Sequence, residues 1–190
     1  MTPDSKYVPG LPLFLGIDEG YYPGPNVTTW FQTDRKGELV MVLYAHYQWL
    51  RTNEENAKIA LAIHQDRGYG PLTGGWGDPS APQMIRAYSQ VFGVEIGSTR
   101  RPVEWGEEMI KRWLKNASLF QGKKGIVFSG ACRQQFLFPD QDKRKPPRYI
   151  SLVREVEEKV IHKAGGGVER GSHHGPDTIR YFFAGWLGSK

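Results

Sequence analysis

Three aspartates stand at predicted ends of secondary-structure elements, where carboxylates can do chemistry. Asp18 ends the apolar run "LPLFLGID", Asp78 stands in "GWGDPSAP" before a predicted helix, and Asp177 follows "GSHHGP" at the start of the last predicted helix. Each also has a structural explanation: Asp18 as a turn residue, Asp78 as a helix cap, and Asp177 as a charge favoured at the positive end of a helix. Taken singly, the three positions decide nothing.

Taken together, the three aspartates predict a cation site. Sites in open α/β sheets lie beyond the carboxyl ends of strands, so Asp18 and Asp78 can meet there, with Asp177 delivered by a helix packed across the sheet. Clustered carboxylates repel one another and raise their pKa values unless a cation balances them. Their hard oxygen ligands suit Mg²⁺ or Mn²⁺, and two such ions about 4 Å apart can clamp a phosphodiester during in-line displacement.

The elements that must position these residues begin with three predicted strands. Residues 12–17 form an apolar run, and residues 26–34 and 38–47 are rich in β-branched and aromatic residues. The "RKG" between the last two runs is a hairpin signal. The chain is therefore expected to open with three strands that are antiparallel neighbours.

Helices and strands are expected to alternate over the rest of the chain. Thr52 and Glu55 have the spacing of a capping box, and so do Ser80 and Gln83, with Pro82 tolerated in the first turn of the second helix. A short strand is expected before "WGDPSAP", followed by a strand at 94–99, a helix at 103–116, a strand at 125–130, a segment at 150–163 that begins helical and finishes as a strand, and a terminal helix at 177–188. This order predicts an α/β domain with a mixed sheet.

Composition and charge narrow the class of protein. The 190 residues, 39% of them apolar, suit one globular domain, and the net charge of +5 favours an anionic partner such as nucleic acid. The single cysteine, Cys132, excludes an internal disulfide and a Cys-rich zinc site. No apolar run approaches the ~20 residues of a membrane span, and no apolar signal segment opens the chain. We expect a soluble intracellular protein.

Three segments are expected to lie outside the regular elements of this single domain. Residues 1–10 are predicted to form a loose leader, 138–148 a charged loop that contains proline, and 163–171 a flexible Gly-rich hairpin or connection. Clusters of Gly, Pro and charged residues of this kind are typical of loops. None of the three is expected to contribute to the core.

Four segments resemble, in the same order, motifs of the nuclease domain of the bacteriophage large terminase: "FLGIDEGYYPGPNVTTWFQ", "GWGDPSAPQMIRAYSQVFGVEI", "RPVEWGEEMIKRWL" and "SHHGPDTIRYFFAGW". The resemblance runs from about residue 12 to 187. It implies an RNase H-like fold, a mixed sheet of five or slightly more strands with helices on both faces. It also implies a Mg²⁺- or Mn²⁺-dependent endonuclease that cuts concatemeric double-stranded DNA during genome packaging by two-metal-ion hydrolysis, with little sequence specificity.

The resemblance assigns roles to the acids. Asp18 matches the first-strand aspartate that bridges both metals, Asp78 the second acid and Asp177 the third, which lies in a "D-x-x-R-Y" helix. His174, three residues before Asp177, matches a histidine that some members place beside the metals, and is expected to sit across a Pro bend from it. Directly after its first acid the family often has a small or aromatic residue, whereas this chain has Glu19. If the strand continues, the Glu19 side chain is expected to point to the opposite face of the sheet from Asp18.

Basic residues are expected to contact the phosphates of the DNA, contacts that carry no sequence information and weaken with salt. They are Arg100, Arg101, Lys123, Lys124, Lys143, Arg144, Lys145 and Arg148. The last four belong to a segment that looks longer than the corresponding connection in the family. This extra charged stretch is expected to contact DNA.

The full family protein also carries an ATPase motor domain. This chain has no G-x-x-x-x-G-K-[ST] phosphate loop, so we expect an excised, monomeric nuclease domain without the motor. The expected partners of the full protein are the motor domain, the portal and the small terminase subunit, in the cytoplasm of the infected bacterial host, with no membrane partner. Two alternatives stay open: another RNase H-like nuclease, such as a junction resolvase or a transposase-like enzyme, and a DNA-binding module whose acids are structural.

Overall fold

The computed structural model describes residues 7–20, 24–98, 101–118, 125–138, 148–158 and 174–188. Its main feature is a six-stranded sheet, formed by β1 (Leu13–Asp18), β2 (Asn26–Thr33), β3 (Leu39–Gln48), β4 (Gly74–Gly77), β5 (Ile96–Ser98) and β6 (Gly125–Phe128). The strand order is β5-β4-β1-β2-β3-β6. β2 is antiparallel to both β1 and β3, whereas β4 runs parallel to β1, β5 to β4 and β6 to β3.

Five helices accompany the sheet in the described parts of the chain: α1 (Asn53–Asp66), α2 (Pro82–Phe92), α3 (Val103–Ser118), α4 (Leu152–Val156) and α5 (His174–Gly188). α1 and α2 pack on the face that holds Leu15 and Trp30, and α3 and α5 pack on the face that holds Phe14 and Phe31. The predicted α/β fold, with a mixed sheet and helices on both faces, is confirmed, and the sheet has one strand more than five. No described helix combines the length and apolar character that a membrane crossing needs.

The register of the sheet brings the ends of β1 and β4 together. Ile17 of β1 is the parallel partner of Gly77 of β4. Asp18 and Asp78 are the next residues of their segments, so they emerge at the same edge of the sheet. This is the carboxyl edge, where parallel strands of α/β proteins place their functional residues.

α5 lies directly against β1 at Gly16. A Cβ on Gly16 would lie 2.5 Å from the carbonyl oxygen of Thr178 in α5 and 2.8 Å from the ring of Phe31. The hydroxyl of Thr178 also shares a 2.7 Å hydrogen bond with that of Thr29 in β2, and the rings of Phe31 and Phe182 stack with centroids 4.4 Å apart. This close approach holds the first turn of α5 at the end of β1.

The predicted capping box of the second helix, Ser80 with Gln83, is wrong. α2 begins at Pro82 with Ala81 as its N-cap residue, and no side chain caps it. Ser80 is engaged by Asp78 instead, since the carboxylate accepts hydrogen bonds from the Ser80 N–H at 2.8 Å and from the Ser80 hydroxyl at 2.7 Å. The predicted capping box of the first helix is confirmed.

The last helix begins three residues earlier than predicted, at His174 rather than at Asp177. Pro176 is accommodated because the N–H groups of a first helical turn have no intrahelical partner to lose. The expected Pro bend between His174 and Asp177 is therefore wrong. The two residues are i, i+3 neighbours on one helix face.

A second, two-stranded sheet was missed by the sequence analysis. β7 (Phe136–Phe138) and β8 (Arg148–Ile150) pair in antiparallel fashion. The first and last residues of the predicted loop at 138–148 therefore belong to strands. The helix predicted from residue 150 begins at Leu152. The middle of this loop and the predicted connection at 163–171 lie outside the described residues.

The predicted loose leader at 1–10 is wrong for its second half. The Val8 N–H donates to Gln32 Oε1 at 2.9 Å, and Gln32 Nε2 donates back to the Val8 carbonyl at 2.8 Å. The hydroxyl of Tyr7 accepts a hydrogen bond from the Gly70 N–H at 2.6 Å. Hydrogen bonds to the main chain hold this segment against the domain, a contact that hydropathy does not reveal. Residues 1–6 lie outside the described residues.

The contact at Gly16 predicts that even a methyl side chain at this position would destabilise the protein. Gly16→Ala should lower the free energy of unfolding by about 2 kcal/mol, because the added methyl overlaps backbone atoms of α5 that cannot rotate away. Urea unfolding followed by circular dichroism measures it. Gly130→Ala is the matched control, since a Cβ at that glycine meets no atom within 4 Å. Equal stability of the two variants would contradict the packing of α5 on β1.

Candidate functional site

Asp18 and His174 form the centre of the candidate site. Asp18 is the last residue of β1 and is 4% exposed, and His174 is the first residue of α5. His174 Nδ1 lies 2.7 Å from Asp18 Oδ2. Because a carboxylate only accepts hydrogen bonds, Nδ1 carries the shared proton, and a neutral imidazole presents a lone pair at Nε2. That Nε2 atom is buried and has no hydrogen-bond partner within the described residues.

Asp78 reaches the site from the end of β4. Its carboxylate holds the turn before α2 through Ser80, and it also accepts a hydrogen bond from the Tyr181 hydroxyl of α5. Asp78 is therefore a turn residue and not the helix cap weighed for it, and it also contacts the helix that carries His174 and Asp177. The two roles coexist because the carboxylate has two oxygens.

Asp177 lies in the first turn of α5, where its negative charge is favourable. Its Oδ1 accepts a hydrogen bond from Arg180 Nε at 3.0 Å. The first two turns of α5 thus supply an imidazole, a carboxylate and a guanidinium. The charges of Asp177 and Asp78 both raise the pKa of Asp18.

The electrostatics of the site are dominated by burial. Burial raises the pKa of Asp18, the hydrogen bond and charge of His174 oppose that rise, and the pKa stays above its ordinary value. Burial lowers the pKa of His174, but the hydrogen bond and charge of Asp18 outweigh it and leave that pKa raised. Burial also raises the pKa of Asp78, yet hydrogen bonds from Ser80 and Tyr181 hold it below its usual range. The site therefore favours added positive charge.

The side chains of the site are of the types that bind divalent cations, but they are not arranged around a common point that an ion could occupy. Carboxylates and an imidazole with a buried, partnerless nitrogen are suitable ligands for Mg²⁺ or Mn²⁺. Within the described residues, however, no three Asp, Glu, His or Cys side chains form a group ready to hold an ion. The physical reason is that each aspartate faces a protein partner: Asp18 faces His174, Asp78 faces Ser80 and Tyr181, and Asp177 faces Arg180.

Glu155 is a buried residue beside the site that the sequence analysis missed. It lies in α4 and is 1% exposed. Its Oε2 accepts hydrogen bonds from the Tyr47 hydroxyl at 2.8 Å and from the Gly175 N–H at 2.9 Å. The carboxylate therefore binds the otherwise partnerless N–H end of α5, where the helix dipole favours an anion. The available signal was an acid among the buried apolar positions of "LVREV".

The predicted DNA-contacting residues lie mostly outside the described part of the chain. These are Arg100, Lys123, Lys124, Lys143, Arg144 and Lys145, and of Arg148 only the backbone is described. Arg101 is exposed, stands over the Trp105 ring at 5.4 Å, and approaches Gly188 at the far end of α5. At 1.5 Å per residue that end is about 21 Å from His174. Arg101 is not part of the acid cluster, and its contact with DNA stays a prediction.

Solved structures of similar fold include phage large terminases. The fold is similar to the large terminase nuclease domain of bacteriophage SPP1, solved with bound Mn, with a TM-score of 0.52 and 15% identity over 90% of this chain and 85% of that one. It is also similar to the large terminase of a thermophilic bacteriophage, with a TM-score of 0.58 and 15% identity over 97% of this chain. This chain spans 41% of that longer protein. No protein-family model matches the chain, and no curated protein matches it in sequence.

These likenesses establish the class of structure. The chain has an RNase H-like α/β fold, with the order β5-β4-β1-β2-β3 at its centre and β6 added beside β3. Two of its structural neighbours are the nuclease domain of one phage large terminase and the large terminase of another phage. The resemblance predicted from the sequence motifs is confirmed at the level of fold.

The position of Glu155 predicts that it is a structural anchor of the site. Glu155→Ala should lower the free energy of unfolding by about 2–3 kcal/mol, because Tyr47 and the Gly175 N–H would lose a charged acceptor inside the protein. Thermal or urea unfolding measures the loss. Glu157→Ala, two residues away on the exposed side of the chain, should change stability by less than about 0.5 kcal/mol. A Glu155→Ala protein as stable as this control would show that α5 does not depend on the carboxylate.

Proposed function

We propose that the chain is a divalent-metal-dependent endodeoxyribonuclease of the type found in phage large terminases. The observation that carries the proposal is the meeting of Asp18, Asp78 and the first turn of α5 at the carboxyl edge of the sheet. The fold alone does not decide an activity, because one fold hosts many functions. The site adds a specific reason, since the buried Asp18 carboxyl is under the negative charges of Asp78 and Asp177, which a cation would balance.

In this proposal Asp18, Asp78 and Asp177 are the catalytic carboxylates and metal ligands, and His174 is a further ligand through Nε2. Asp18 is the most buried of the three acids and is the residue whose pKa the other two raise. His174 orients the Asp18 carboxylate through Nδ1, and Tyr181 orients that of Asp78. Glu155 holds the N-terminal end of α5, and with it His174, in place.

Two divalent ions, Mg²⁺ or Mn²⁺, would supply a water of lowered pKa and stabilise the charge that develops on the phosphodiester. The SPP1 domain of the same fold was solved with bound Mn, which supports this choice of cation. The chain's own part is to collect carboxylates at one edge and to exclude water from Asp18. Because a metal ligand must be deprotonated, ion binding by His174 requires the neutral ring.

The proposed substrate is concatemeric double-stranded DNA, cut with little sequence specificity during genome packaging. The net charge of +5 supports an anionic partner. By analogy with the longer thermophilic-phage protein, of which this chain spans less than half, the proposed partners are an ATPase motor domain, a portal and a small terminase subunit. The proposed setting is the cytoplasm of an infected bacterium, with the nuclease domain itself monomeric.

The proposal predicts metal-dependent cutting that depends on all three aspartates. Supercoiled plasmid should be nicked and linearised in Mn²⁺ or Mg²⁺ and left intact in EDTA. Asp18→Asn, Asp78→Asn and Asp177→Asn should each lower the rate by about a hundredfold or more, because each removes a charged ligand. Agarose gels over time give the rates, and circular dichroism verifies that the variants fold.

Asp66→Asn is the matched control, because this aspartate is exposed at the end of α1, away from the site, and should cut like the parent. Cutting by all three site variants at the parent rate would refute the assignment of the site. A strong preference for four-way junctions over linear duplex would favour a resolvase instead. Duplex binding without cutting in either metal would favour a DNA-binding module.

A further inference from the structure

Arg180 occupies a position in the candidate site that the proposed metal chemistry does not explain. Its Nε donates to Asp177 Oδ1 at 3.0 Å, and its side chain is only 13% exposed, against 23% for Asp177. Its positive charge also helps to hold the pKa of Asp78 low. One guanidinium therefore acts on two of the three proposed metal-binding carboxylates.

The fold makes room for this side chain. Gly106 of α3 lies against the Arg180 stem, where a Cβ would overlap Cγ and would come within 2.7 Å of Cδ. On its other side the guanidinium stands over the ring of Tyr181, 4.3 Å from the centroid, in the geometry of a cation–π contact. A glycine, an aromatic ring and a carboxylate thus hold the guanidinium in place. A basic residue on an open surface has no such contacts.

A cation held in this way competes with any ion that binds the same oxygen. The Asp177 carboxylate still offers a divalent ion its second oxygen and a lone pair on Oδ1, but an ion bound there would lie close to the guanidinium. The like charges of the guanidinium and the ion also repel each other. This competition concerns Asp177, since Asp18 and Asp78 face other protein partners.

We propose that Arg180 is an internal counter-cation of this site, which neutralises Asp177 and Asp78 until a divalent ion displaces it. The inference rests on the proposed function for the identity of the metal ligands. Its consequence is that Arg180 weakens metal binding and so limits loading of the site. The displaced guanidinium stays on α5 next to the acids, where it is available to a phosphate group.

Mn²⁺ binding to the full chain tests the inference without DNA and without a measurement of cutting. The electron paramagnetic resonance signal of free Mn²⁺ is titrated against the parent and against Arg180→Gln, in which the amide can still donate to Asp177 but carries no charge. Arg180→Gln should bind Mn²⁺ about tenfold more tightly. Adding Asp177→Asn to Arg180→Gln should abolish that gain.

Three further variants separate charge from shape and from folding. Arg180→Lys keeps the charge and should bind Mn²⁺ within about threefold of the parent. Gly106→Ala keeps Arg180 but removes the space for its stem, so it should tighten binding by a few fold. Arg112→Gln, an exposed arginine on α3, is the control and should match the parent. Gly106→Ala also tests the idea if Arg180→Gln does not fold, which circular dichroism would reveal.

Equal or weaker Mn²⁺ binding by a folded Arg180→Gln overturns the inference, as does the absence of binding in both parent and variant. A gain shared by Arg112→Gln would show that overall charge, rather than this contact, is responsible. The outcome is separable from that of the nuclease assay. Tighter Mn²⁺ binding by Arg180→Gln together with an inactive parent would keep the counter-cation and reject the nuclease.

Discussion

The close packing of α5 across β1 is the contact on which the rest of the site depends. At Gly16 the strand and the helix approach so closely that the Thr178 carbonyl lies where a side chain would begin. Two residues further along β1 stands Asp18, and four residues back along α5 stands His174. The 2.7 Å contact between these two side chains is therefore set by backbone packing, and the aromatic stack of Phe31 on Phe182 keeps the interface closed.

Charge balance is the second constraint, and the protein meets it locally. Several acids lie in or beside a largely buried region, an arrangement that costs free energy unless each negative charge has a partner. The partners are an imidazole for Asp18, a hydroxyl pair for Asp78, a guanidinium for Asp177, and the helix N-terminus with a tyrosine for Glu155. Most of them belong to α5 or bind it, so the helix that carries Asp177 also supplies partners to the acids at the ends of β1 and β4 and in α4.

The likeness to terminase nuclease domains and the arrangement of the site support the proposed function in different ways. At 15% identity the likeness reports a shared backbone topology, and topology alone leaves the activity open. The acids at the carboxyl edge of β1 and β4 add chemistry to that topology. Neither line of support depends on the basic residues proposed to contact DNA, most of which lie outside the described part of the chain.

The sequence by itself predicted most of the strands and helices, and it singled out the three acids on which the proposed function rests. Apolar and β-branched runs predicted β1, β2 and β3, and the positions of Asp18 and Asp78 after strands followed from them, because the patterns that make strands and helices are local. Local patterns also misled: Ser80 has the spacing of a cap, yet the nearer carboxylate of Asp78 binds it. Pro176 suggested a bend, yet a first helical turn accommodates it.

Only the tertiary structure decided which side chains contact one another in the site. Glu155 and Gly175 are 20 residues apart, and His174 and Asp18 are 156 apart. The close contact between Gly106 of α3 and the Arg180 side chain of α5 joins two helices. No hydrophobic periodicity in the sequence predicts this contact. Such contacts depend on how the whole sheet and all its helices pack together at atomic distances. The residue types and spacing within a single segment do not specify that packing.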